Sequence, residues 1–195
     1  IPENLNVLLL NRNTSKVSSS RWAQGGIASV VRPDDSFDLH AQDTLKAGDG
    51  LCDLKAVEML VKEAPKCVER LQNLGMIFDQ SFDQLATTLE AAHSRRRVLH
   101  VQDRTGRALV EVLEDHVEQK RNILHCRGVR VTQLLTQDKE CKGVQVLDGS
   151  NLYWITSRAV VLATGGGGHL FTNTTNPPQS SGEGISLAWR AGAAI

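Results

Sequence analysis

A polar, glycine-bearing segment directly after an apolar run is the feature that most constrains this chain. Residues 18–28 read SSSRWAQGGIA, and they follow an apolar stretch at residues 7–10 that has the character of a buried strand. Gly25 and Gly26 have no Cβ, so the backbone there can adopt positive φ and approach a flat ligand closely. Doubly wound α/β folds bind nucleotides at loops of this kind, although a plain surface turn fits these residues equally well.

The composition argues against several kinds of partner. Lysine plus arginine and aspartate plus glutamate both number 22 among 195 residues, so the formal net charge is zero and does not favour nucleic acid. No apolar run reaches the roughly 18 residues that a membrane span needs. We expect no metal and no disulfide framework, because the cysteines are widely separated and lack a C-x-x-C pair. Reduced, buried thiols are therefore predicted at Cys52, Cys67, Cys126 and Cys141.

The hydrophobic patterns predict an α/β fold with a parallel sheet and a small antiparallel meander. Continuous apolar runs at residues 6–10 and 158–164 are typical of parallel strands that are covered on both faces. A further strand is predicted at residues 123–126. Short apolar runs separated by turn residues then predict the three strands of the meander, at residues 129–136, 141–147 and 152–156. Helical spacing and capping residues predict the helices, one from a cap at Asp35 or Ser36 to about Ala47 and others at residues 53–74, 105–117 and 185–189.

Two other stretches have the composition of ligand sites. Four glycines at residues 165–168 follow the predicted strand and favour close approach to a ligand. Residues 90–97 read EAAHSRRR, with three consecutive arginines beside a lone glutamate. This segment fits a solvated basic surface, and it also fits a site for a dianionic substrate.

Four motifs in this order, SSSRWAQGGIA, EAAHSRRRVLHVQDRTGR, VVLATGGGG and TTNPPQSSGEG, resemble the flavoprotein family of succinate dehydrogenase, fumarate reductase and L-aspartate oxidase. The resemblance covers nearly the whole chain and is strongest to the L-aspartate oxidase branch. It implies a Rossmann-like FAD-binding domain that exchanges hydride between the flavin and a dicarboxylate carbon. Such a domain should offer G-x-G-x-x-G before the strand predicted at residues 6–10. This chain has no such motif, so we expect residues 1–195 to be a partial domain, without the first βα unit and the later capping domain.

The resemblance also implies which residues contact FAD. Arg12 falls near the adenosine end, and Glu183 takes the place of an aspartate that contacts FAD in the family. The residues of the loop along the pyrophosphate and the flavin ring are Ser19, Ser20, Arg21, Trp22, Ala23, Gln24, Gly25 and Gly26. The remaining candidates, implied to contact adenine or to approach the cofactor through backbone groups, are Val131, Ala163, Thr164 and Gly165.

Two positions distinguish members of the family. The membrane-bound succinate and fumarate enzymes carry the flavin covalently on a histidine five positions before the loop glutamine. That position is Ser19 here, so the resemblance implies non-covalent FAD. Glu90 falls where L-aspartate oxidases have a glutamate facing the substrate amine, which makes it the substrate-orienting candidate. We assign no catalytic residue within this chain.

The activity implied by the resemblance is oxidation of L-aspartate to iminoaspartate in NAD biosynthesis. Oxygen or fumarate would accept the electrons, and a quinolinate synthase would use the product. The implied location is the bacterial cytoplasm, or a plastid in a photosynthetic eukaryote. Two alternatives stay open at this point, a soluble succinate dehydrogenase or fumarate reductase flavoprotein and a non-catalytic flavin-binding domain.

Overall fold

The computed structural model describes residues 2–14 and 17–195. The described chain divides into two compact units. The first unit contains the described residues up to Ser19 and those from Val117 onward, and the second unit is Ser20–His116. Each unit has a hydrophobic cluster of its own.

The described residues alternate between helices and mostly short strands. The α-helices are α1 (Ser19–Trp22), α2 (Phe37–Ala47), α3 (Leu54–Asn73), α4 (Thr105–Glu118) and α5 (Glu183–Arg190). The strands are β1 (Val7–Asn11), β2 (Ile27–Ala28), β3 (Gln80–Ser81), β4 (Gln84–Leu85), β5 (Thr87–Thr88), β6 (Val98–Leu99), β7 (Ile123–Arg127), β8 (Arg130–Gln137), β9 (Glu140–Asp148) and β10 (Asn151–Thr156). A short 3-10 helix spans Gly168–Leu170.

The first unit contains a parallel strand pair and an antiparallel meander. Strands β1 and β7 run parallel, with Val7 opposite Ile123. Strands β8, β9 and β10 form a sheet in the order β10-β9-β8. Its buried cluster consists of Val129, Val144 and Val146. The predicted α/β class, with a parallel sheet and a small meander, is confirmed.

In the second unit, α2 and α3 begin where their capping residues predict. The hydroxyl of Ser36 accepts a hydrogen bond from the backbone N–H of Leu39 at 3.2 Å. The carboxylate of Asp53 accepts one from the N–H of Ala56 at 2.8 Å. A cap of this kind stabilises a helix by about 1 kcal/mol because it satisfies an N–H that has no partner within the helix.

A small sheet with the order β2-β6-β5 lies at the core of the second unit. Leu99 in β6 is fully buried and clusters with Val68 of α3, Met76 and Phe78. Strands β3 and β4 pair as a hairpin.

The predicted strand at residues 158–164 is wrong. The segment belongs to no sheet, and the side chain of Val161 is 86% exposed. A parallel strand needs a hydrogen-bonding neighbour and a covering layer on each face, and none of the described strands pairs with this segment. The predicted burial of β1 on both faces is also wrong, since Leu8 and Leu9 remain exposed. A two-stranded sheet offers too little area for layers on both sides.

The cysteines are free thiols, but they are less buried than predicted. Cys67 is exposed, and the other three are half-buried. Cys67 precedes Val68, which faces the core. Successive residues of a helix point about 100° apart, so the neighbour of a core residue on α3 turns toward solvent.

Adjacent glycines in the predicted cofactor loop give a matched test of this packing. A Cβ on Gly26 would overlap the carbonyl oxygen of Leu99, whereas one on Gly25 would meet no atom within 4 Å. We expect Gly26→Ala to lower the free energy of unfolding by about 1–3 kcal/mol and Gly25→Ala to change it by less than about 0.5 kcal/mol. Urea unfolding of both variants measures the difference, and equal stability would contradict the close approach of the loop to β6.

Candidate functional site

At the carboxyl end of β1, Arg12 forms an ion pair with Glu183, the first residue of α5. Nη1 of Arg12 lies 2.7 Å from Oε1 of Glu183. Nη2 of Arg130, in β8, lies 2.9 Å from the same oxygen. The structure thus brings together two residues that the sequence predicts for FAD, and it adds Arg130, which the sequence does not single out. Two guanidinium groups on one carboxylate leave a net positive charge, which suits a phosphate-bearing ligand.

The segment before α5 positions Arg12. Its guanidinium donates to Oγ of Ser181 at 3.2 Å and to the carbonyl oxygen of Gln179 at 3.3 Å. The hydroxyls of Ser19 and Ser180 form a hydrogen bond of 2.9 Å, which ties the start of the predicted cofactor loop to this segment. Oε1 of Gln179 is buried and has no hydrogen-bond partner among the described residues. A ligand donor would satisfy that oxygen.

The glycine turn at residues 165–168 packs beside the same segment. Gly165 has φ of +73°, a conformation that favours glycine. The N–H of Gly182 donates to the carbonyl oxygen of Gly166 at 3.2 Å. A Cβ on Gly184 would overlap Oγ1 of Thr164, so α5 can begin this close to the turn only with glycine there.

The other two candidates of this unit lie at different depths. Ala163 is exposed in the extended segment before the glycine turn. Val131, in β8, is half-buried and packs against the valine cluster of the meander. Its contact with adenine stays a prediction.

In the second unit, Arg21 anchors the predicted cofactor loop to α4. Its buried guanidinium lies 3.0 Å from Oε1 of Glu111 and 2.6 Å from Oε2 of Glu114. Burial opposes the charge, but the hydrogen bonds to Glu114 and Glu111 outweigh it and raise the pKa of Arg21. The N–H of Gly106 donates to the carbonyl oxygen of Ala23 at 3.0 Å. The inner side of the loop is therefore fixed by two carboxylates and by the start of α4.

The outer side of this loop is open. Ser20, Trp22, Gln24 and Gly25 are exposed, and nothing lies within 4 Å of the position of a Cβ on Gly25. Since the opposite side is fixed to α4, the open side presents backbone and polar groups in a defined arrangement. A flat ring can approach such a surface closely.

A buried ion cluster holds the segment that contains Glu90. Nε and Nη2 of Arg97 donate to the two carboxylate oxygens of Asp35, each at 2.7 Å. Nη1 lies 2.5 Å from Oδ2 of Asp43 and 3.2 Å from Nδ1 of His93. The backbone N–H and the hydroxyl of Ser94 also donate to Oδ2 of Asp43, both at 2.8 Å. We refer to these five residues as the Arg97 cluster.

The arginine run is therefore not a uniform surface. Arg97 is 0% exposed, whereas Arg95 and Arg96 are exposed. The interpretation as a solvated basic surface is wrong for Arg97, because two aspartates neutralise its charge within the protein. Arg95 donates to the carbonyl oxygen of Asp34 at 3.1 Å.

The Arg97 cluster shifts the pKa values of Asp43, of Arg97 and of the neighbouring His40. Burial opposes ionisation of Asp43, but hydrogen bonds from the Ser94 N–H, Arg97 and the Ser94 hydroxyl lower its pKa to about 2. Hydrogen bonds to Asp35 outweigh burial and raise the pKa of Arg97. Burial lowers the pKa of His40, and the positive charge of Arg97 adds to that effect. The ion pairs therefore persist well into acid.

Glu90 begins a turn that ends at His93, a member of the Arg97 cluster. The N–H of His93 donates to the carbonyl oxygen of Glu90 at 3.2 Å. Ala92 has φ of +67°, which is strained for a residue with a Cβ. The side chain of Glu90 is exposed, and it has no hydrogen bond or ion pair with any described residue. The carboxylate is free, while the turn that carries it is anchored.

Sequence reasoning missed the carboxylates that bind the two buried arginines. Asp43 follows the buried His40 by three residues, so both lie on the same face of α2. An acid on the buried face of a helix requires a charged or donor partner, and that signal was available. The same spacing places Glu111 and Glu114 on one face of α4.

A metal-binding cluster and a membrane-spanning helix are both absent from the described residues, 2–14 and 17–195. No group of three or more histidine, cysteine, aspartate and glutamate side chains could hold a metal ion. None of the helices in this part of the chain combines the length and the hydrophobicity that crossing a bilayer requires.

Known proteins resemble this chain over its whole length. The family model described as the FAD binding domain matches residues 2–195. An L-aspartate oxidase of Nostoc sp. is 48% identical, and the match covers 100% of this chain and 34% of that protein. An L-aspartate oxidase of Synechocystis sp. is 44% identical, with 100% and 36% covered. A structure of E. coli quinol fumarate reductase has a TM-score of 0.92 and 27% identity, with 96% and 32% covered. The chain spans about a third of the length of these proteins.

Neighbouring arginines provide a test of the Arg97 cluster. Arg97→Ala leaves two buried carboxylates without their cation, and we expect a loss of about 3–5 kcal/mol in the free energy of unfolding. Arg96→Ala removes an exposed side chain and should change it by less than about 0.5 kcal/mol. Thermal and urea unfolding of both variants provides the measurement. A similar small effect for both would show that the cluster contributes little to stability.

Proposed function

This chain belongs to the FAD binding domain family, and from that membership we propose that it forms part of the flavin-binding domain of an L-aspartate oxidase. The choice within the family is supported by relatives of that name that match the whole chain. Since the chain spans about a third of their length, we propose that the complete protein has a further βα unit with the G-x-G-x-x-G motif and a capping domain. The cytoplasmic or plastid location implied by the resemblance belongs to the same proposal.

The observation that carries the choice of aspartate as substrate is the free carboxylate of Glu90. Three arginines follow within seven residues, yet Glu90 pairs with none of them. Arg97 binds Asp35 and Asp43 instead. An exposed carboxylate on an anchored turn can accept a hydrogen bond from a substrate ammonium group. Aspartate has such a group, and succinate and fumarate do not.

The residues of each unit fit FAD. In the first unit, the two positive charges of Arg12 and Arg130 exceed the single negative charge of Glu183. The buried Oε1 of Gln179 has no hydrogen-bond partner among the described residues, and a ribose hydroxyl or an adenine amino group could donate to it. In the second unit, the open backbone at Gly25 can lie along a flat ring. These features would hold the adenosine end and the flavin ring respectively. With Ser19 in place of a histidine, the cofactor would be held without a covalent bond.

The reaction removes a hydride from the α-carbon of aspartate and a proton from its nitrogen, which yields iminoaspartate. FAD, when bound, supplies the two-electron acceptor, and oxygen or fumarate would take the electrons onward. Glu90 would hold the amine of the substrate and so fix which face of the α-carbon meets the cofactor. Arg21, through Glu111 and Glu114, would keep the cofactor loop in place. Quinolinate synthase would use the product.

Non-covalent attachment can be tested on the complete protein. A hydroxyl cannot form the histidyl bond, so FAD should be released into the supernatant when the protein is denatured by acid or heat. Fluorescence of the supernatant and of the protein band on a denaturing gel measures the two fractions. Flavin fluorescence that stays with the band would contradict the proposal and favour the succinate and fumarate enzymes.

The variant Glu90→Gln tests whether the carboxylate of Glu90 binds the amine of aspartate. Loss of a hydrogen bond to a charged group costs about 1.5–3 kcal/mol, and each 1.4 kcal/mol corresponds to about tenfold. The kcat/KM for aspartate should therefore fall roughly tenfold to a hundredfold in the complete enzyme. Fumarate reduction should change by less than about threefold, because fumarate has no amine.

The two reactions are measured on the same purified variant, with its unfolding temperature as a control on the fold. Equal losses for aspartate and fumarate would assign Glu90 a structural role. No loss for either would remove it from the site. A wild-type enzyme that reduces fumarate but does not oxidise aspartate would favour the alternative, a soluble succinate dehydrogenase or fumarate reductase flavoprotein.

A further inference from the structure

The contact between Arg97 and His93 fixes which ring nitrogen of His93 carries the proton. Nη1 of Arg97 lies 3.2 Å from Nδ1 of His93. A guanidinium group can only donate, so Nδ1 must accept. In a neutral imidazole the proton is then on Nε2. The Arg97 cluster therefore holds His93 as a hydrogen-bond donor at its outer nitrogen.

That donor has no acceptor within the part of the chain that the structure describes. His93 is half-buried, its side chain takes the bond from Arg97 and a tilted ring contact with His40, whose centroid lies 5.7 Å away, and its Nε2 has no hydrogen bond to any described residue. Asp35 and Asp43, the nearby carboxylates, are bound by Arg97 and Ser94. The Nε2–H group is thus fixed in orientation and available to a ligand.

His93 and Glu90 share one turn. They are its last and first residues, joined by the hydrogen bond from the His93 N–H to the Glu90 carbonyl oxygen, and such residues have Cα atoms less than about 7 Å apart. In aspartate, the α-carboxylate and the amine are attached to the same carbon. A substrate whose amine meets Glu90 therefore brings its α-carboxylate into the neighbourhood of His93.

We propose that His93 binds the substrate by donating a hydrogen bond from Nε2 to its α-carboxylate. This rests on the proposed function, which supplies the amino dicarboxylate substrate. His93 and Glu90 would then recognise adjacent groups of opposite charge, a carboxylate by a donor and an ammonium by an acceptor. Arg97 is a positioning residue in this arrangement, since it acts through His93. Asp43 has the same role, because it fixes Ser94 directly after the turn.

Two substitutions of His93 test the roles of its two ring nitrogens separately. His93→Asn keeps an oxygen near the position of Nδ1, where it can accept from Arg97, and removes the donor at Nε2. His93→Gln restores a donor near the position of Nε2 and loses the acceptor at Nδ1. In the complete FAD-loaded enzyme, the dissociation constant of succinate is read from the change in flavin absorbance, and KM and kcat are measured for aspartate.

We expect His93→Asn to weaken succinate binding and to raise KM for aspartate by about tenfold to a hundredfold, the effect of losing a hydrogen bond to a charged group. His93→Gln should recover most of that loss. Glu90→Gln, measured alongside, should impair aspartate alone, because succinate has carboxylates but no amine. A lower unfolding temperature with equal losses in both His93 variants would mean a structural role and would overturn the proposal.

The outcomes distinguish this inference from the proposed function. Aspartate oxidation with unchanged binding in His93→Asn would overturn the role of His93 and leave the proposed function standing. Weakened succinate binding in His93→Asn, in an enzyme that does not oxidise aspartate, would retain His93 as a dicarboxylate ligand and overturn the proposed function. A wild-type holoenzyme that binds no dicarboxylate would overturn both.

Discussion

The burial of the Arg97 guanidinium between two carboxylates is the interaction on which the geometry of the second unit depends. A charge removed from water is tolerated only when its partners replace the lost hydration, and Asp35 and Asp43 do so with three donors of Arg97. The same contacts join the residue before the N-cap of α2, the middle of α2 and the residue that precedes β6. These contacts also position the turn that begins at Glu90, because Ser94, which follows the turn, donates to the same oxygen of Asp43 that Arg97 binds.

The sequence predicted those helices and strands that are determined by residues close together in the chain. Ser36 and Asp53 start α2 and α3 because a side-chain oxygen can reach an N–H three residues ahead. The meander follows from short apolar runs separated by turns, and its three strands pair in sequence order. The first two residues of α4, Thr105 and Gly106, were also predicted. These features require no knowledge of the rest of the chain.

Features that depend on distant partners were not predictable in the same way. The segment at residues 158–164 has the composition of a buried strand, but pairing needs a neighbour, and composition does not say where one lies. The two aspartates of the Arg97 cluster are more than fifty residues from the arginine in sequence. A run of three arginines therefore looked uniform, although a single member of it is buried. The pairing of Arg12 with Glu183, which brings two resemblance-based candidates together, likewise spans most of the chain.

Ala92 has a consequence for the thermodynamics of ligand recognition. A residue with a Cβ at φ of +67° lowers the stability of the folded turn, yet the same methyl group restricts the backbone to fewer alternative conformations than glycine would allow. A turn with fewer alternatives loses less conformational entropy when a ligand orders it. The conformational restriction at Ala92 thus favours a preorganised surface, in which part of the conformational entropy has already been lost during folding.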